Sequence, residues 1–351
     1  MRAARLPAWI LSLFAALAAL AAWLLAAPSH SQADTDQGVL ARLISQALST
    51  PATQVTIGGV EGALSSNAVI TDIRISDRDG TWLVLDRAEL VWSRLALLRG
   101  RLQVDALRVS RLEIARQPLP PEEPPPPSDG PILPELPVKV VIGEFALADL
   151  VLGEPVLGAP ARISARGSAE LGAPSEGLKL AFQAERRDSP GRAALDLEYV
   201  PATQVLRVGA NLTEPAGGLA ARALGLQGLP PVTLTLQGQG PLDSFAASLD
   251  FSAGEDIGAR GRANLSAESG GRRLNLELTA RIAGLLPPPV APVFSGETRL
   301  TGDAILASDG AIVLRGISAA SATASLDISG RVGADRTLDL SATARAVPRD
   351  E

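Results

Sequence analysis

The residues able to do chemistry are few, and they are scattered. His30 is the only imidazole and there is no cysteine. That excludes thiol catalysis, thiolate metal sites and disulfides, and it leaves His30 without the partners that acid–base or metal chemistry needs. Asp77, Asp79 and Gly80 (DRDG) resemble the start of a calcium loop, but the later ligands at EF-hand spacing are missing, so the spacing predicts a hairpin turn. Glu122 and Glu123 form a carboxylate pair inside a proline tract, where solvated loop charge is expected rather than glycosidase chemistry. Gly238-Gln239-Gly240 lacks the third glycine and the helix start of a dinucleotide fingerprint. Asn211-Leu212-Thr213 and Asn264-Leu265-Ser266 match glycosylation sequons within strand-like text. Lys139 and Lys179 are the only lysines, and no Walker motif or Gly-x-Ser-x-Gly elbow occurs. No catalytic residue, metal site or cofactor is expected, and the chain reads as a non-enzyme.

Composition narrows the class further. The 351 residues are 46% hydrophobic, 20% charged and 3% aromatic, with a formal net charge of −6. This is too apolar and too regularly patterned for disorder. Arg2 and Arg5 lie ahead of the first apolar run, so the remainder is more acidic still and poorly suited to nucleic acid.

The first element is that apolar run. Residues 6–27 carry no charge, and at about 1.5 Å per residue a helix of this length crosses a bilayer core of roughly 30 Å. Leu6, Trp9, Ile10, Leu13, Phe14, Leu17, Leu20, Trp23 and Leu24 are the predicted anchor residues, with the two tryptophans at interfacial depth. Arg2 and Arg5 before it, with Asp34 and Asp36 after it, predict a cytoplasmic amino terminus and an exported body. A signal peptide cleaved after Ser31-Gln32-Ala33 is the alternative, although its apolar core is usually about 7–15 residues. Val39, Leu40, Leu43, Ile44, Ala47 and Leu48 then recur on one helical face up to Pro51, predicting a short amphipathic helix over 34–51. It would either cap the first strands or lie on a membrane surface or in the end of a groove.

From Val55 the period becomes two. Alternation runs through residues 52–117, interrupted at SRLALLRG (93–100), which predicts one helical turn closed by Gly100. Bulges are expected between the pairs Leu102/Val104, Leu107/Val109 and Leu112/Ile114. Residues 118–137 hold ten prolines and are expected to form a stiff linker or long loop. Alternation resumes over 138–351, with turn signals at Gly270-Gly271, Ser308-Asp309-Gly310 and Ala334-Asp335-Arg336 and a short helical interruption near 219–226. Tight turns predict antiparallel meanders. Leu178, Leu180, Phe182, Leu274, Leu276, Leu278, Leu326, Ile328, Leu338 and Leu340 lie on the apolar side of these runs. So long an apolar face must be covered by itself, by a partner or by lipid. Both a β-sandwich array and an open groove satisfy the pattern.

Residues 57–114 (IGGVEGALSSNAVITDIRISDRDGTWLVLDRAELVWSRLALLRGRLQVDALRVSRLEI) and 133–158 (LPELPVKVVIGEFALADLVLGEPVLG) resemble the amino-terminal part of the TamB family, within the AsmA-like group. The resemblance implies an inner-membrane, single-pass protein with a periplasmic body. Its fold would be an elongated antiparallel β-sheet curled into a U-shaped trough with an apolar interior, preceded by one transmembrane helix and a short amphipathic helix. It further implies phospholipid acyl chains as cargo, with the ten alternating residues above as wall. The function implied is phospholipid transport toward the outer membrane and assembly or secretion of outer-membrane and autotransporter proteins. The barrel protein TamA is the implied partner. No partner-docking domain is recognised before Glu351, so a fragment, a split gene product or a shortened relative is expected. The rival expectation is an exported structural or adhesive β-protein with a self-packed core.

Overall fold

The computed structural model describes residues 53–62, 65–119, 139–173, 175–286, 291–294, 296–335 and 337–346. The predicted anchor, the 34–51 helix and nearly all of the proline tract lie outside them. Among the described residues no helix is long and apolar enough to cross a membrane. The protein is mainly β, with seventeen strands among the described residues that pair mostly antiparallel, in two compact units.

The first unit holds β1 (Gln54–Glu61), β2 (Asn67–Asp77), β3 (Gly80–Ser93), β4 (Arg101–Ile114), β5 (Lys139–Leu152) and β6 (Ala161–Leu171), with one-turn helices α1 (Arg94–Leu97) and α2 (Glu154–Leu157). The two-residue connection between β2 and β3 is the predicted DRDG hairpin, with Gly80 at φ +99°. α1 is the predicted interruption, and Gly100 follows it at φ +69°. A predicted bulge is present where Val91 faces Ala106 but Trp92 faces Val104, leaving Asp105 as the extra residue in β4.

The antiparallel expectation fails between β4 and β5. β4 and β5 are parallel, from Arg101 beside Lys139 to Ile114 beside Leu152. A parallel neighbour forces the chain to return the full strand length, roughly 45 Å for strands of fourteen residues. Tight turns made the antiparallel rule, and the interval between β4 and β5 is the longest between the described strands, ahead of those at 215–231 and 282–297.

The second unit holds β8 (Arg192–Val200), β9 (Val205–Glu214), α3 (Leu219–Ala223), β10 (Val232–Pro241), β11 (Ala246–Ala253), β12 (Ile257–Glu268), β13 (Gly271–Arg281), β14 (Thr298–Ala307), β15 (Ile312–Ala320), β16 (Ala324–Val332) and β17 (Leu338–Ala346). Each strand pairs antiparallel with the next, and the three predicted turns lie between β12 and β13, β14 and β15, and β16 and β17. β7 (Leu178–Arg186) contains the division between the units.

Gly261 shows how tightly neighbouring backbones approach. A Cβ there would collide with the carbonyl oxygen of Glu277 and with Cα of Leu278, the residue it faces on β13. Backbone atoms cannot yield as a flexible side chain can. Gly261→Val is expected to cost about 1–3 kcal/mol, read as a lowered thermal midpoint by circular dichroism. An unchanged midpoint would mean that the β12–β13 approach is looser than described.

Candidate functional site

In a sheet, directly opposed residues point to the same face, so the register shows which side chains form one surface. In the second unit, Leu195 of β8 faces Ala210, which faces Leu236. Leu236 faces Leu249, Leu249 faces Gly261, and Gly261 faces Leu278. Leu278 faces Leu300, which leads through Ala319 and Leu326 to Ala344 of β17. A second row crosses the same strands through Leu197, Val208, Gly238, Ala247, Ala263, Leu276, Gly302, Ile317, Ile328 and Ala342. No polar side chain enters either row. The next residues along the strands form a polar row on the other face, from Gln237 and Ser248 through Arg262, Glu277, Thr301, Ser318 and Asp327 to Thr343.

Of the predicted wall, Leu274, Leu276, Leu278, Leu326, Ile328, Leu338 and Leu340 belong to this face. Leu340 is reached from Leu274 through Ala304, Leu314 and Gly330. Leu178, Leu180 and Phe182 are on β7, the first two in the second unit and Phe182 in the first. None of the ten is buried. Eight are half-buried, and Leu338 and Leu340 are exposed, at 68% and 44%. Leu249, Phe251, Leu300, Leu314 and Ile317 share the face but were not singled out from the sequence. Glycine and alanine at their neighbouring apolar positions dilute the alternation that would have marked them.

One end of this face is dry. The segment carrying α3 folds over it, and Ala221 and Leu226 close with Val232, Ala253 and Ile257 into a buried cluster. Leu212, Ala220, Leu229 and Phe251 pack against that cluster. The buried carboxylate of Glu214 accepts a hydrogen bond from the Ala220 amide at 2.6 Å, holding the first turn of α3 in place.

The first unit treats its apolar side differently. The row Val60, Ile70, Ala88, Val109, Leu147 and Ala165 crosses β1 to β6 and is buried throughout. The first unit combines both kinds of row, since Leu90, Leu107 and Phe145 form a second one across β3 to β5 that is half-buried.

The acidic turn residues are occupied structurally. Asp77, with a side chain only 4% exposed, accepts both guanidinium nitrogens of Arg116, at 2.6 and 2.9 Å. It also accepts the amides of Asp79 at 2.9 Å and Leu119 at 3.0 Å. Arg116 further donates to the Gly80 carbonyl. Every Asp77 oxygen is therefore engaged in fastening the β2–β3 hairpin to the chain leaving β4, as the turn reading expected. Hydrogen bonding from Arg116, reinforced by the two amides and opposed by desolvation, holds the Asp77 carboxyl far below the usual carboxylate range. A second charge cluster ties β4, β5 and β6. Asp149 accepts from Arg162 at 2.9 and 3.1 Å and from Arg111 at 3.2 Å, which likewise holds it low. Among the described residues no group of three His, Asp or Glu could hold a metal ion.

Comparison with protein-family models, with curated proteins and with solved structures gives no match.

Asp77→Asn gives a pH-dependent test of the hairpin fastening. A depressed folded-state pKa contributes stability that is full above the unfolded value, about 3.9, and lost as pH falls toward the folded one. The variant is expected to be about 1–3 kcal/mol less stable at pH 7, with the deficit shrinking below about pH 4. Thermal midpoints measured from pH 7 down to pH 2 check this, and a constant deficit would refute the assigned role.

Proposed function

We propose that the protein is a membrane-anchored component of the cell envelope whose apolar sheet face holds phospholipid acyl chains and carries them toward the outer membrane. One observation carries this reading: the uninterrupted rows of Leu, Ile, Val, Ala and Gly from β8 to β17, with their predicted wall residues half-buried rather than sealed. A lone soluble chain usually leaves no more than a few hundred Å² of contiguous apolar surface uncovered, and acyl chains match this face chemically. The resemblance of residues 57–114 and 133–158 to the TamB family supports the same role. So does the uncharged 6–27 segment, which would supply the inner-membrane tether, with the body periplasmic.

In this reading the sheet curls into a U-shaped trough, with acyl tails along its inside and headgroups at the open side. Each methylene kept from water is worth about 0.8 kcal/mol. A tail moving from a bilayer to this face exchanges one apolar surrounding for another, so the net cost of transfer is small. Rows of similar aliphatic residues make successive positions nearly equal in energy, which lets a tail slide. The direction of travel would come from elsewhere. Participation in outer-membrane and autotransporter protein assembly, and contact with TamA, are the further roles that the resemblance supports. The role is non-enzymatic.

A second reading, an exported structural or adhesive β-protein with a self-packed core, is favoured by the buried row of the first unit. The discriminating measurement is phospholipid carried by the purified full chain, read by native mass spectrometry. The double substitution Leu276→Asp and Leu278→Asp places two carboxylates in adjacent rows and is expected to lower bound phospholipid at least tenfold, with circular dichroism confirming the fold. Equal lipid in the folded double variant would remove this face as the binding surface, and a lipid-free wild-type chain would favour the structural reading.

A further inference from the structure

The turn that joins β3 to β4 carries two leucines that stand in water. Leu95, in α1, is 72% exposed, and Leu98, just past it, is 84% exposed. No other large apolar side chain among the described residues is as exposed as these two. Residues three apart lie on one side of a helical turn, so they form a single patch. The base of the turn is packed. Trp92 before it and Leu102 after it are buried with Val104, and Leu90, Leu107, Val140 and Ile142 pack against them. Leu95 and Leu98 are not part of that cluster.

The charge beside the patch is of one sign. No Asp or Glu occurs between Glu89 and Asp105. Arg99 and Arg101 are exposed. Among the described residues neither guanidinium has a hydrogen-bond or ion-pair partner. Other arginines of the first unit are engaged, Arg108 with Glu144, Arg111 and Arg162 with Asp149, and Arg116 with Asp77. Lys139, beside Arg101 on β5, adds a third cation, shared with Glu170 at 3.7 Å.

Exposed leucines next to unpaired arginines suit an anionic phospholipid surface, where apolar side chains enter the acyl boundary and cations meet headgroup phosphates. A second protein is a poorer occupant. Two leucines fall far short of the roughly 1,200 Å² that a stable protein interface buries, and a symmetric second copy would bring arginine toward arginine. A bilayer needs no complementary shape.

We propose that the α1 turn is a membrane-docking point, with Leu95 and Leu98 dipping into the leaflet and Arg99 and Arg101 held at anionic headgroups. The proposal rests on the membrane tether of the preceding reading and adds a second contact, which sets this end of the first unit against the same bilayer.

The chain has no native cysteine, so Leu98→Cys gives the full chain a single labelling site. With a fluorophore there, and the chain reconstituted in phosphatidylcholine–phosphatidylglycerol vesicles, residue 98 is expected to be quenched by lipids that carry a quencher in the acyl region and to be shielded from aqueous iodide. Asp79→Cys, in the exposed hairpin at the opposite end of β3, is expected to show the reverse. Each arginine near an anionic surface strengthens binding about fivefold. Adding Arg99→Glu and Arg101→Glu should therefore lower lipid quenching at 98 several-fold, as should vesicles of phosphatidylcholine alone. Three results would each overturn the proposal: residue 98 open to iodide in anionic vesicles, which is what an acidic protein partner predicts; lipid quenching no greater at 98 than at 79; or quenching indifferent to both arginines. Leu276→Asp with Leu278→Asp should leave quenching at 98 intact, so loss of lipid carriage and loss of docking are read apart. A chain that does not float with the vesicles would overturn the tether and this proposal together.

Discussion

Parity is the constraint on which the rest of this structure depends. Side chains along a strand alternate between faces, so an apolar surface spanning many strands exists only if every pairing keeps the same residues opposite one another. From β8 to β17 that condition holds at each junction, and its consequences appear on both sides. Leu278, Leu300, Ala319 and Leu326 share one face, while Glu277, Thr301, Ser318 and Asp327, one residue away along each strand, share the other. A slip at one hairpin would mix the two surfaces from that strand onward.

Glycine and the charged pairs keep the registers from slipping. Gly261 sits where its β13 neighbour leaves no room for a Cβ, which singles out one alignment of β12 against β13. Arg273 and Asp303 join β13 to β14 through bonds of 2.9 and 2.7 Å, and Asp149 gathers Arg111 and Arg162 across three strands of the first unit. The many exposed pairs elsewhere on the sheet, such as Arg260 with Asp250, contribute little stability singly. On the polar face their larger effect is to penalise alternative pairings, since a slipped strand would bring unlike partners or like charges together.

The apolar faces of the two units differ in where their burial is concentrated. In the first, the row from Val60 to Ala165 is buried, as a packed interior requires. In the second, burial is concentrated where the α3 segment folds over the strand ends, and the central leucines remain half-buried. Leucine, alanine and glycine alternate along the rows across the strands, with few large aromatics to fill the volume above them. Such a surface is smooth and accommodating, and that is the physical basis for reading it as a support for flexible acyl chains rather than as one half of an interlocked core.

The period-two pattern by itself determined the β class, the position of the DRDG hairpin, the one-turn interruption before Gly100, the turns at Gly270, Asp309 and Asp335 and the apolar side of strands with clear alternation, such as β13 and β16. Those features are local, depending on residues within a few positions of one another. Only the tertiary structure decided which strands lie side by side. That β4 and β5 are parallel, that Leu249, Leu300 and Ile317 join the predicted leucines in continuous rows, and that the α3 segment covers one end all follow from pairings between segments that local patterning does not specify. An alternating strand says which of its faces is apolar. Its neighbours, brought up by hydrogen bonds from elsewhere in the chain, decide how far that face extends and what covers it.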